Sequence, residues 1–413
     1  MPDAHDDSWR DESAARIRTH RQGDCSLRVL GADGRPWPGP VRITLKRHAF
    51  GFGAAVNRTL TAVGEDAERY RDWVRRHCSL LVSENDMKWY TLEKDPDVED
   101  ASAAERLLAW AAAEGIAVRG HCLLWAKRKF VQKWVQDLGK GRFLPRIQAH
   151  LERTMERFAG RVVCWDSLNE MLDGDIFPER LGPDAYGDLH RLMNRLGPAE
   201  RLFVNEYSII DNDPKVARYL ELIGRLRLGG VRLGGIGVQE HAAERFAAAL
   251  RTLPGDEGKE ERQGKNTLVP REVWDRLDRL AATGLPIHLT EISFRDEDEA
   301  RKAEAVERFY RTLFAHPAVE AILLWGFWSK AHWLGRSAAL LDDAWTPLPA
   351  MQVLEQLLHR EWRTVLTATP DTAGLLSFRG FFGEYVLEAD GGRAQFRLER
   401  GSAGSRSVLL QPA

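Results

Sequence analysis

The chain has 413 residues, 44% of them hydrophobic and 29% charged, which is enough apolar material for a sizeable core and too much for a disordered tail. Its 59 Lys and Arg face 61 Asp and Glu, and a formal net charge of −2 leaves no electrostatic footprint for nucleic acid or an anionic membrane. No stretch approaches the roughly 18 apolar residues of a membrane span, so a soluble chain with a neutral partner is expected.

The opening MPDAHDDSWRDES has no basic start followed by an apolar run, as a secretory leader would. Of the four cysteines, Cys25, Cys78, Cys122 and Cys164, three sit in apolar runs and none has metal-ligand spacing. Buried thiols of this kind favour a reducing, cytoplasmic compartment; a leader already removed would make the chain a secreted one.

In chain order, the first structured signal is at 24–46. There apolar and polar residues alternate on both sides of the turn-rich GADGRPWPGP, the pattern of a β-hairpin, so residues 1–46 are expected to be a tail and a hairpin. Eight short apolar runs follow: Phe50 to Val56, Cys78 to Val82, Ala117 to Leu124, Val162 to Leu168, Leu202 to Asn205, Gly235 to Val238, Ile287 to Leu289 and Ala321 to Trp325. Helix patterns at Ala101–Glu114, Arg146–Ala159, Pro214–Leu226, Val273–Ala282 and Glu299–Phe314 alternate with them. This alternation predicts an α/β fold, a TIM (β/α)8 barrel over 47–362, and no glycine-rich nucleotide fingerprint supports an open doubly wound sheet. The charged, glycine-rich segment 251–270 reads as a rim loop on the side where the chemistry gathers. Beyond the barrel, 380–400 alternates about Asp390-Gly391-Gly392 as a second hairpin within 363–413. Each hairpin is too small to stand alone, so the two are expected to pack as a small, structural β-sandwich.

In such a barrel the chemistry collects at the carboxyl ends of the strands. The eight runs end, in order, in Asn57; in Glu84-Asn85 with Lys88 and Trp89 beyond; in His121 and Trp125; in Asn169-Glu170; in Asn205-Glu206-Tyr207; in Gln239 and His241; in Glu291; and in Trp325 and Trp328. One polar strand end is ordinary solvated rim. A ring of them supplying carboxylates, amides, histidines, a lysine and indoles points to a carbohydrate site. Cleaving a glycoside takes two carboxyl groups, one protonated and one ionised, and Glu170 and Glu291, from distant parts of the chain, are the pair placed to face each other across the barrel mouth. Indoles offer flat apolar faces to sugar rings, and amides and ammonium groups bond hydroxyls. Of the 14 tryptophans, Trp89, Trp125, Trp325, Trp328 and Trp333 are the candidates. Asp166 and Glu206 read as structural partners.

These residues carry a resemblance. The segments Ser83-Glu84-Asn85-Asp86-Met87-Lys88-Trp89, Arg119-Gly120-His121 to Trp125, Trp165-Asp166-Ser167-Leu168-Asn169-Glu170, Gly237-Val238-Gln239-Glu240-His241 and Leu289-Thr290-Glu291 are similar, in order, to the signature blocks of glycoside hydrolase family 10. The resemblance implies a TIM barrel and a retaining endo-β-1,4-xylanase that needs no metal or organic cofactor, acts on xylan or xylo-oligosaccharides and is a monomer. It implies Glu170 as general acid/base and Glu291 as nucleophile. Asn169 would bond the sugar 2-hydroxyl, His241 would orient Glu291, and Gln239 would support the same carboxylate region. Glu84, Asn85 and Lys88 would bind glycone hydroxyls, His121 and Trp125 would line the cleavage subsite, Trp325 and Trp333 would roof the sugar, and Tyr207 would line the cleft mouth. A hydrolase of short xylo-oligosaccharides or another β-glycan, and a non-catalytic carbohydrate-binding barrel, are the alternatives. The chain departs from the family pattern at Ala126, followed by Lys127-Arg128-Lys129, where many members have a His. It departs again at Ser293, where an Asp is usual, and at Trp328-Ser329-Lys330, which lacks the usual Asp.

Overall fold

Alternating residues after the helix Ser8–Arg21 form β1 (Gln22–Leu30) and β2 (Val41–His48). The eight apolar runs become β3 (Gly51–Val56), β4 (Leu80–Ser83), β5 (Ala117–Trp125), β6 (Cys164–Asn169), β7 (Leu202–Tyr207), β8 (Gly235–Glu240), β9 (Ile287–Ile292) and β10 (Val319–Leu324). Six more strands follow: β11 (Val365–Ala368), β12 (Leu375–Phe381), β13 (Gly383–Ala389), β14 (Gly392–Leu398), β15 (Ser405–Leu409) and β16 (Gln411–Pro412). The computed structural model describes residues 8–96, 98–247, 267–401 and 405–412. The expected rim loop therefore lies outside the described residues except at 267–270.

The chain divides into two units, one comprising Met1–Gly51, Tyr310–Pro317 and Met351–Ala413, the other Phe52–Phe309 and Ala318–Ala350. In the larger unit β3 to β10 close into a barrel in the order β10-β3-β4-β5-β6-β7-β8-β9, as the alternation predicts. β4, β6, β8 and β9 are buried along their whole length, as expected of parallel strands covered on both faces. Ala55, Leu80, Val82, Ala321, Leu323 and Trp325 pack as one cluster from β3, β4, β10 and the residue after β10. Gly53 lets β3 and β4 meet closely, since a Cβ there would fall 1.8 Å from the Leu80 carbonyl oxygen. The helix Ser102–Ala113 buries Ala104, Leu107, Leu108 and Ala111, one stripe at helical spacing. The helix Asp213–Leu228 starts where the Asn212 side chain accepts from the Lys215 amide at 3.0 Å, and stops at Gly229.

The smaller unit holds two sheets, β12-β1-β15 and β11-β2-β13-β14-β16. β13 and β14 form the hairpin expected about residue 390, with Ala389 opposite Gly392 and Gly391 at φ 72°. The hairpin expected at 24–46 does not form. β1 pairs with β12 and β15, whereas β2 pairs with β11 and β13, so the two strands lie in different sheets. The Gly/Pro stretch between them folds on itself instead, with the Gly31 amide bonded to the Arg35 carbonyl at 2.8 Å, and strands from the far end of the chain satisfy each backbone. Phe378 of β12 approaches Tyr385 and Phe396 of the other sheet, with ring centroids at 5.9 and 6.3 Å. Among the described residues no helix is long and apolar enough to cross a membrane, and the four cysteines are free.

Candidate active site

The carboxyl ends of β5 to β9 deliver the central cluster. Glu170 directly follows β6 in a left-handed conformation, φ 58° and ψ 52°, a backbone state that costs a non-glycine residue about 1–2 kcal/mol. Its amide bonds the Asn205 carbonyl at 2.9 Å, which fixes the turn and aims the side chain inward. Its carboxylate pairs with Lys127, Nζ to Oε2 at 2.7 Å. Burial would pull the Lys127 ammonium down, yet its bonds to Glu170 and Tyr207 push it above the usual range.

Glu291 lies on β9, buried like Glu170. Its Oε1 accepts from Asn205 Nδ2 at 3.0 Å, and His241 Nε2 stands 3.4 Å from Oε2. Burial works against its charge, but the His241 bond and the electrostatic influence of His121, His241 and Lys88 hold the carboxyl below its usual range. His121 Nδ1 donates to Asp166 Oδ2 at 2.9 Å, and its Nε2 faces Glu291 Oε1 at 3.9 Å. Burial raises Asp166, but Arg119 and His121 outweigh it and hold the carboxyl at about 2. His241 Nδ1 lies 3.1 Å from Ser293 Oγ, which also accepts from Trp333 Nε1 at 3.3 Å. At this position of departure a neutral hydroxyl thus ties His241 to Trp333.

Asn205 joins the two halves. Its Nδ2 also donates to Asn169 Oδ1 at 2.9 Å, and its Oδ1 accepts from Thr290 at 2.6 Å. Gln239 Nε2 donates to the same Asn169 Oδ1 at 3.1 Å, so Gln239 positions Asn169. With Oδ1 occupied twice, Asn169 Nδ2 is a buried donor with no hydrogen-bond partner among the described residues, and His121 Nε2 is a buried ring nitrogen likewise without one. Gly237 makes room, since a Cβ there would stand 2.4 Å from Asn205 Oδ1.

A second group comes from the ends of β4, β5 and β10. Lys88 Nζ reaches Asn85 Oδ1 at 3.3 Å and sits 4.7 Å from the Trp125 ring and 5.8 Å from the Trp325 ring. Tyr90 donates to Asn85 Oδ1 at 3.0 Å, and Asn85 Nδ2 to Glu84 at 3.3 Å. Burial pushes Glu84 above its usual range, with Lys88, Asn85 and Asn57 opposing. Trp325 stands edge-on to His121 at 5.1 Å, which joins this group to the first. Trp125 stacks on Phe130 at 3.5 Å, and half-exposed Trp333 meets His241 at 4.8 Å. Tyr207, at the end of β7, donates to Asp173 at 2.5 Å and accepts from Lys127 at 3.2 Å.

Trp89 and Trp328 stand apart. Trp89 stacks on His150 and donates to Glu93 at 3.0 Å, and Trp328 stacks on Trp345 at 4.4 Å, so both are packing residues. Two participants went unassigned in the sequence. Asn205 was visible only as a strand end, and Lys127 only as a departure from a family pattern. Among the described residues no group of His, Cys, Asp or Glu is arranged to hold a metal ion. The arrangement sets one carboxylate kept ionised by donors near another paired with a single movable ammonium, beside indoles and unpartnered donors. Two carboxyl groups in unlike surroundings suit divided acid and nucleophile roles.

The sequence model described as Glycosyl hydrolase family 10 matches residues 42–356. The anti-sigma-I factor RsgI6 of Acetivibrio thermocellus is 32% identical over 382 residues, 92% of this chain and 46% of that protein. Endo-1,4-beta-xylanase 1 of Arabidopsis thaliana is 29% identical over 372 residues, 89% of this chain and 36% of that protein. The chain thus spans less than half the length of these two relatives. The crystal structure of xylanase 10B from Thermotoga petrophila in complex with xylobiose superposes with a TM-score of 0.64 at 25% identity, covering 76% of this chain and 95% of that one. With a closed eight-stranded barrel, the block residues gathered at one end and a family match across most of its length, the chain belongs to glycosyl hydrolase family 10.

Proposed function

We propose that the protein is a retaining endo-β-1,4-xylanase that cleaves xylan by double displacement. The observation that carries this reading is the placement of Glu170 and Glu291 by one residue, Asn205, whose backbone carbonyl accepts from the Glu170 backbone amide and whose side-chain Nδ2 donates to Glu291 Oε1. Similarity to proteins named endo-1,4-beta-xylanases and to a xylobiose complex supports the substrate. The glycone sugar lies among Glu84, Asn85 and Lys88 with Trp325 and Trp333 against its faces, and Asn169 Nδ2 bonds its 2-hydroxyl. Glu170 gives its proton to the leaving oxygen as a Glu291 oxygen attacks the anomeric carbon. Glu170 then takes a proton from water, whose oxygen displaces Glu291 with net retention. Proton NMR of early xylan hydrolysis should show the β-anomer first, and an α-anomer first would overturn double displacement. Glu291→Ala should abolish turnover yet bind xylo-oligosaccharide, and retained turnover would remove Glu291 from its role.

A second reading, a non-catalytic carbohydrate-binding barrel, draws on the similarity to a protein whose name, anti-sigma-I factor, is not that of a hydrolase. Binding of xylo-oligosaccharide by the unaltered protein without hydrolysis would select it.

A further inference from the structure

The Glu291 carboxylate is held by Asn205 and His241, with His121 nearby. Glu170 has a different kind of partner. Lys127 is a flexible ammonium at 2.7 Å, carried on the loop after β5, at the segment where the chain departs from the family pattern. It is itself steadied at the far side, because it donates to Tyr207 at 3.2 Å and lies 4.3 Å from the Tyr207 ring. Tyr207 is in turn fixed by Asp173, which also takes Lys215 at 3.1 Å and faces Arg218 at 3.7 Å.

Resting on the roles proposed for the two glutamates, we propose that Lys127 is a positioning residue for the second half of the reaction. It becomes the counter-ion of Glu170 once Glu170 has lost its proton, and holds it as the carboxylate that activates water. The charge balance requires such a partner. In the first step the bond from the anomeric carbon to the leaving oxygen breaks and a bond to Glu291 forms. The Glu170 proton leaves with the departing sugar, so the negative charge passes from Glu291 to Glu170. Glu291, now an ester, no longer needs Asn205 and His241 as charge partners, while Glu170 sits beside Glu206, a buried carboxyl raised to about 8 chiefly by burial, with Glu170 and Asp173 adding to it. When water adds, its proton goes to Glu170, the Glu291 bond breaks, and the charge returns to the Asn205 and His241 side.

Among the described residues, titratable groups around the pair include Tyr207 and Glu206 on β7, Asp173 after β6, and Lys215 and Arg218 on the helix after β7. Cys122 of β5 and Tyr186 of the helix Ala185–Leu196 have thiol and phenol groups pushed up by burial. Arg128, next to Lys127, is occupied by Asp175 and Glu179. Lys127 is thus the cation in direct contact with the Glu170 carboxylate.

The test uses Lys127→Met, which keeps the chain length and removes the charge, and Lys127→Arg, which restores the charge. Carboxyl-carbon NMR of glutamate-labelled protein, with the Glu170 signal assigned by its loss in Glu170→Gln, should show the Glu170 midpoint rise by about one pH unit in Lys127→Met and return in Lys127→Arg. On an aryl xylobioside with a dinitrophenolate leaving group, which needs no acid, Lys127→Met should keep its initial burst while steady turnover falls about tenfold. An unmoved Glu170 midpoint, or unchanged steady turnover, overturns the inference. Absence of xylan cleavage by the unaltered protein, with the midpoint still moving, overturns instead the hydrolase reading and with it the role given to Lys127.

Discussion

Replacing Asn205 tests whether the side chain that joins Glu291 to Asn169 matters. The residue is fully buried and makes three side-chain bonds: to Glu291 Oε1 at 3.0 Å, to Asn169 Oδ1 at 2.9 Å and from Thr290 at 2.6 Å. Asn205→Ala leaves Asn169 held by Gln239 alone and takes one donor from an ionised carboxylate. A hydrogen bond to a charged group contributes about 1.5–3 kcal/mol, so kcat/KM on a soluble xylo-oligosaccharide should fall about 10- to 100-fold. The pH profile supplies a second reading. Glu291 is expected to act ionised, and its depressed pKa places the acid limb of kcat/KM below the usual carboxylate range. Losing a donor to the charged form raises that pKa, so the acid limb should move up by about one unit. Asn205→Asp should do more harm than Asn205→Ala, because it sets a like charge at the distance where a donor stood. The assay is initial rate against pH for the three proteins, with circular dichroism to confirm folding. If Asn205→Ala keeps kcat/KM within about twofold and leaves the acid limb in place, Asn205 is not what keeps Glu291 charged and oriented.

Gly237→Ala should reproduce the Asn205→Ala kinetics without removing any polar group, because the new Cβ would stand 2.4 Å from Asn205 Oδ1 and displace it; unchanged steady-state kinetics would show that the site has slack. Glu93 accepts from Trp89 and His150, each at 3.0 Å, from Arg153 at 2.8 Å, and from Arg146. Burial raises its pKa, but His150, Arg153 and Trp89 outweigh it and hold the carboxyl at about 2, against an ordinary 4.5. The unfolded chain binds the proton more readily, so this stability is present above about pH 4.5 and is lost as pH falls toward 2, about 3 kcal/mol in all. Glu93→Gln should therefore lower urea stability by about that amount at pH 7 and by much less at pH 3. An equal loss at both pH values would refute the charge-based account.

Much of the barrel was legible in the sequence because parallel strands covered on both faces are rich in apolar residues, as in Leu80-Leu81-Val82 and Ala321-Ile322-Leu323-Leu324. The polar residues ending each run stood out for the same reason, by breaking the pattern where the strand leaves the core. The roles within the ring were less legible. Trp89 and Trp125 both follow apolar runs, yet one is held by Glu93 and His150 and the other lies between Phe130 and Lys88. Nothing local distinguishes them, because what differs is the neighbour brought up from another part of the chain. The hairpin expected at 24–46 failed similarly: alternation shows a strand but not its partner, and β1 found its partners more than 300 residues away.

By itself, then, the amino-acid order determined which segments are strands, that eight of them alternate with helices, and which polar side chains stand at their carboxyl ends, since all three follow from periodicity and the cost of burying polar groups. Tertiary structure alone decided the pairings. Closure of the barrel sets Asn169 opposite Asn205 and Gln239 opposite Glu291, with local shifts in register that no single strand encodes. Those registers turn a ring of strand ends into a connected site: Asn205 reaches both sides, Gln239 serves Asn169, and Lys127 finds Glu170. Side-chain hydrogen bonds depend on positions to within a fraction of an ångström, and only the assembled barrel supplies that.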